Sequence, residues 1–66
     1  MAATLPKLHD YVCLVREAAG VPAGAAGWIV QTFRDGCVGV ELEDPDLTDH
    51  ADGIVDVPLD ALERRE

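Results

Sequence analysis

Asp35-Gly36 stands between two short segments rich in strand-forming residues, Gly27 to Phe33 (GWIVQTF) and Cys37 to Glu43 (CVGVELE). An Asp-Gly pair supplies the consecutive positive-φ positions of a tight hairpin, so two antiparallel strands joined with almost no loop are expected here. Val38, Val40 and Leu42 alternate with Gly39, Glu41 and Glu43, which makes one face of the second strand core and the other wet. Its partner is less regular. Trp28 shares a parity with Val30 and Thr32, and Ile29 shares the opposite parity with Gln31 and Phe33, so neither face is cleanly polar. Either a bulge interrupts this strand or both of its faces are covered.

The segments around the hairpin extend the same pattern. Asp10 to Arg16 (DYVCLVR) has no internal Gly or Pro and predicts a first strand, preceded by a loose lead-in over residues 1–9. Glu17 to Ala26 (EAAGVPAGAA) is Ala-rich, yet Gly20, Pro22 and Gly24 break any helix, so a long loop is expected. Gly24 suits a positive-φ turn, and Gly27 suits a close approach to a neighbouring backbone. Asp44 to Gly53 is turn chemistry throughout, Ile54 to Val57 predicts a fourth strand, and Pro58 ends it. Leu59 to Leu62 has room for one helical or 3₁₀ turn, and Glu63 to Glu66 for a last short strand or a frayed end.

A chain of 66 residues makes one small domain with a thin core. A flat sheet of this size would expose its second face, whereas curling the hairpins over one another closes a core without helices. The expected fold is all-β: a small SH3-like, partly open barrel of four to five short antiparallel strands with a terminal 3₁₀ or single helical turn.

The residues Asp10-x-Val12-x-Leu14, Gly24-x-x-Gly27-x-Ile29-Val30, Asp35-Gly36-x-Val38-x-Val40-Glu41 and Val57-Pro58-Leu59-x-x-Leu62 span most of this chain. In them it resembles the small bacterial proteins of a domain-of-unknown-function family with an SH3-like barrel, and more loosely KOW modules. The KOW resemblance implies contact with RNA or partner proteins through loops and nearby basic residues, but the matching loops here carry mostly Ala, Asp and Glu. A further resemblance is to small SH3-like subunits that cap larger redox or photosynthetic complexes. These motifs are structural, and they imply a fold rather than an activity.

The charge distribution narrows the function. Net charge is −8, and Asp35 to Glu63 holds ten acids with no Lys or Arg, while the rest of the chain carries all five basic residues against three acids. Duplex nucleic acid is bound by neutralising phosphates, so direct nucleic-acid binding is not expected. The uncharged stretch from Ala18 to Gln31 contains three Gly and a Pro, and the segment from Met1 to Leu14 lacks the apolar run of a secretory signal. A cytoplasmic location without membrane association is the default expectation, and Cys13 and Cys37 are expected to be reduced thiols.

Candidate chemistry is sparse. The run Asp44-x-Asp46-x-x-Asp49-x-x-Asp52-Gly53 clusters carboxylates suited to hard cations. As an EF-hand it fails, because Thr48, Asp49 and Val55 stand where an acid or Asn, a Gly and a Glu are required. His50 lies within this loop, where carboxylates favour its protonated form, but a metal site built from His50, Asp49 and Asp52 lacks a fourth ligand. There is no Ser, and the two Cys sit in or beside an acidic half rather than an electropositive pocket, so no catalytic residue, cofactor or resident metal is assigned.

Trp28 has two readings. It covers the end of the core, or, if Ile29 points inward, it lies outside with Tyr11 nearby as an interface anchor. The leading expectation is a non-enzymatic interaction module, an accessory subunit, adaptor or antitoxin-like inhibitor. It would use Trp28 and Tyr11 together with the acidic residues Asp44, Asp46, Asp49 and Asp52 to meet a protein partner with a basic surface. Self-association into a homodimer is compatible with a small core and open strand edges. Two rival readings are an acidic mimic of DNA that regulates a nucleic-acid enzyme, and a weak metal-binding loop protein.

Overall fold

The computed structural model describes residues 6–65, and for 32–34 it describes the backbone alone. Five strands follow in chain order: β1 (Tyr11–Leu14), β2 (Ala26–Arg34), β3 (Cys37–Leu42), β4 (Ile54–Pro58) and β5 (Leu62–Arg65). All neighbouring pairs are antiparallel, in the spatial order β4-β3-β2-β1-β5. Single 3₁₀ turns occupy Pro45–Leu47 and Leu59–Ala61. Among the described residues no helix is long and apolar enough to cross a membrane.

Connectivity forces the sheet to curl. β4 and β5 are its opposite edges, which a flat five-stranded sheet would hold about 19 Å apart at the usual strand spacing. Only the 3₁₀ turn Leu59–Ala61 separates them, and four Cα steps span at most about 15 Å. The edges therefore bend toward each other, and one face wraps a single core in which Val12, Leu14 and Leu62 join Ile29, Val38, Val40, Val55 and Val57. The result is an all-β, SH3-like barrel that stays partly open, as its turn chemistry and alternation led us to expect.

Each link has a local cause. Asp35 (φ 54°) and Gly36 (φ 80°) take the two positive-φ positions of the β2–β3 hairpin, and the Leu59 N–H donates to the Gly36 carbonyl at 2.9 Å, tying that turn to the last 3₁₀ turn. β1 is shorter than the expected Asp10 to Arg16: the Val15 N–H still donates to the Ala61 carbonyl at 2.8 Å, next in register after Leu14 and Leu62, but Ala61 already belongs to the 3₁₀ turn and Val15 itself is exposed. The closing segment is a strand rather than a frayed end, with Leu62 facing Leu14 and Arg65 facing Tyr11.

The lead-in is partly held. Residues 1–5 lie outside the described residues, but Pro6 is buried and the His9 N–H donates to the Ile29 carbonyl at 2.8 Å.

The long β1–β2 loop forms no helix. It folds back at Ala18 and Val21, which exchange backbone hydrogen bonds at 3.1 and 2.8 Å around Ala19 (φ 54°) and Gly20 (φ 77°). A left-handed conformation is costly for alanine, and Asn-Gly is the pair such a turn favours. Ala19→Asn should therefore stabilise the protein by roughly 0.5 kcal/mol, raising the melting temperature by about 2–4 °C. A midpoint that falls in a thermal scan would show that the turn is not the tight, left-handed one described.

Candidate functional site

The outer face of the sheet carries the candidate site, and the strand registers decide which side chains meet there. Ile29, 1% exposed, faces Val40 in the core, so its neighbour Trp28 points outward and is 42% exposed. Trp28 stands opposite Tyr11 on one side and Glu41 on the other, Tyr11 in turn opposite Arg65, and Glu41 opposite Ile54. A cross-strand row Arg65, Tyr11, Trp28, Glu41, Ile54 thus crosses all five strands. Directly opposed side chains on one face lie within contact range, which makes this row a physical unit.

Trp28 lies outside with Tyr11 beside it, their ring centroids 5.2 Å apart and the planes tilted by 49°. This is a favourable geometry for an aromatic pair. The Tyr11 hydroxyl donates a hydrogen bond to the Glu43 carboxylate, so the ring is held at both ends. That bond, with the lesser effects of partial burial and of the Glu43 charge, raises the Tyr11 phenol above its ordinary value, because ionisation would remove the donor and set two negative charges together.

The consequence is measurable. A raised folded-state value means that the neutral form is stabilised, a contribution present below the unfolded phenol range near 10 and lost as pH rises through the folded value. Absorbance of the single Tyr at alkaline pH should titrate above that range, and Glu43→Gln should lower the midpoint. Equal midpoints in the two proteins would show that the hydrogen bond does not form in solution.

No protein-family model, curated protein or solved structure matches this chain. The site must be judged by its own chemistry.

Beside Tyr11, the Arg65 Nε donates to the Cys13 Sγ at 3.1 Å, and this bond, helped by Glu63, holds the guanidinium above its ordinary value. Cys13 is buried and Cys37 half-buried, and both are free thiols.

The acidic loop is arranged differently from the aromatic pair. Asp44 caps the first 3₁₀ turn, its Oδ1 accepting from the Asp46 N–H at 3.0 Å, and Asp52 accepts from the Ile54 N–H at 3.0 Å. These carboxylates work on backbone donors, as turn-forming Asp residues do. Asp46 and Asp49, with His50, border a shallow cleft of about 240 Å³ against the tip of the β1–β2 loop at Ala19 and Gly20. Among the described residues no three His, Cys, Asp or Glu side chains are placed to hold a metal ion.

Of the residues singled out in the sequence, Tyr11 and Trp28 come together, while Asp44, Asp46, Asp49 and Asp52 are spread along their loop. Glu43 is the carboxylate bonded to the aromatic pair and Glu41 stands opposite Trp28, and their shared outward parity along and just beyond β3 was the signal for it. Deciding which of them faces Trp28 required the register. A regular ladder running back from Arg34 opposite Cys37 would set Trp28 against Glu43. Two irregularities in β2, between Ile29 and Gln31 and between Gln31 and Arg34, shift the pairing so that Trp28 faces Glu41.

Proposed function

We propose that this protein is a non-enzymatic interaction module that docks a partner with a basic surface through the Trp28–Tyr11 face, its acidic segment steering the encounter. The observation that carries this reading is an indole 42% exposed and held in place by a tyrosine whose own hydroxyl is tied down. An aromatic side chain already ordered before contact loses little further entropy on binding, and such residues anchor interfaces.

The strand edges favour contact through side chains over strand addition. The Leu42 N–H donates to the Gly53 carbonyl, so by the alternation of an antiparallel ladder the backbone nitrogens of Ile54, Asp56 and Pro58 point away from β3. The first is occupied by Asp52 and the last is a proline without a donor, which leaves Asp56 alone at this edge. At the other edge β5 presents Glu63, Arg64 and Arg65, a charged strand of the kind that resists pairing. The face that remains is the aromatic one.

Column-bound wild type, Trp28→Ala and Asp46→Lys proteins, each shown to be folded, provide the test. Partners captured by wild type should be lost by Trp28→Ala, and the Asp46→Lys protein should bind them more slowly. An identical captured set on all three columns would end the proposal. A partner that ignores Trp28 and is released steeply by salt would instead favour the carboxylates as mimics of phosphate.

A further inference from the structure

We infer that the group this face accepts is an arginine side chain of the partner, its guanidinium laid on the Trp28 indole and forked onto the Glu41 carboxylate. The inference rests on the docking role proposed above and supplies the chemistry that would fill it.

Trp28 is bounded along its cross-strand row. Tyr11 fills one side at a centroid distance of 5.2 Å, and Glu41 stands directly opposite on the other. The two neighbouring carboxylates differ in what they can still do. Glu43 already accepts the Tyr11 hydroxyl, whereas among the described residues and side chains Glu41 makes no hydrogen bond or ion pair. An exposed π-face beside an uncommitted carboxylate is complementary to a planar cation, which can stack on the ring and donate two parallel N–H bonds to the oxygens at once. Lysine can do the first and not the second, since its ammonium is a strongly hydrated point charge.

Two of the chain's arginines are engaged elsewhere. Arg65 turns its Nε to Cys13, and Arg16 pairs with Asp60 at 2.6 Å. No Lys or Arg occurs between Asp35 and Glu63, so β3, the loop after it and β4 bring carboxylates and no cation to this half of the molecule. Stacked nucleic-acid bases would use the same aromatic rings, but their phosphates would face those carboxylates, so the charge favours a cationic protein segment. A second copy of the chain would bring its own −8 to the contact and be repelled.

The probe is a blocked arginine–glycine repeat peptide, compared with lysine–glycine and citrulline–glycine versions of equal length. Binding is followed through the indole N–H of the single Trp in NMR spectra of isotope-labelled protein. The arginine peptide should move this resonance with a saturating curve, the lysine peptide should bind about fivefold more weakly, and the citrulline peptide should not bind. Glu41→Gln should reduce arginine binding by about fivefold, toward the lysine level, and Trp28→Leu, which lacks the indole and is followed through the backbone amides of Tyr11 and Glu41, should abolish it with its amide dispersion intact. Equal binding of the arginine and lysine peptides overturns the inference. So does movement of the amides of residues 44–52 with a silent indole, or an indole shift that depends on protein concentration without peptide, which would assign the face to a second copy. If capture of partners depends on Trp28 while the arginine peptide is silent, the guanidinium chemistry fails and the docking role stands. If capture also ignores Trp28, the docking role fails.

Discussion

Gly27→Ala is expected to leave the chain unfolded at room temperature. Gly27 lies in the middle of the sheet, opposite Val12 of β1 and Leu42 of β3. A Cβ added there would collide with the Glu41 carbonyl oxygen, lie 2.9 Å from its carbon and 3.0 Å from the Leu42 Cα. Every one of those atoms is backbone, in a strand bonded on both sides, so no side chain can rotate away. Relief requires parting β2 from β3, the most extensive strand pairing in the molecule. Such overpacking costs roughly 3 kcal/mol or more, against a net stability of about 3–5 kcal/mol for a core this small. Gly36→Ala is the matched control. Its φ is 80° but no atom lies within 4 Å of the added Cβ, so it should cost only about 1 kcal/mol and leave a folded protein. Circular dichroism and urea titration of the two variants separate these outcomes. A Gly27→Ala protein with a near wild-type midpoint would mean that β2 and β3 are not packed as closely as described.

The role of Gly27 could be read in the sequence because a glycine inside a strand weakens it, and is kept there chiefly where another backbone comes too close for a side chain. Asp35-Gly36 was legible for a similar reason, since only a few residue types tolerate its positive φ values, and the alternation of Val38, Val40 and Leu42 places the core face without further information. The arrangement around Trp28 could not be read in this way. It depends on two irregularities in β2 that slip the register, and nothing in Val30, Gln31 or Thr32 marks where the ladder breaks. Tyr11 could be placed near Trp28 only on the condition that Ile29 points inward, and its partner Glu43 is 32 residues away, a contact that depends on β1 and β3 flanking β2 in the sheet. The acidic loop was legible as turn chemistry, since Asp44 and Asp52 each accept from a backbone N–H two residues on, as turn-forming Asp residues do.

Neighbouring residues Ile29 and Trp28 provide a direct measure of which face is core. Ile29 is 1% exposed and belongs to the central cluster, so Ile29→Ala removes buried methylene and methyl groups and leaves a cavity costing about 2–5 kcal/mol. Trp28 is the larger side chain, and if size alone governed the effect its truncation would be the more damaging. Its position predicts the reverse. At 42% exposure Trp28 keeps much of its ring in water and leaves no closed cavity when truncated, losing its partial burial and the pairing with Tyr11, which adds about 0.5–1.5 kcal/mol beyond the buried area, so Trp28→Ala should remain folded and be the less destabilised of the two. Ile29→Ala should melt lower still in the same thermal scan. If Trp28→Ala proves the more destabilised of the two, Trp28 is covering the core and the docking face proposed for it is lost. If the expected order holds, the loss of partner capture in Trp28→Ala is a loss of contact rather than of fold, because the variant missing the indole keeps the barrel that presented it.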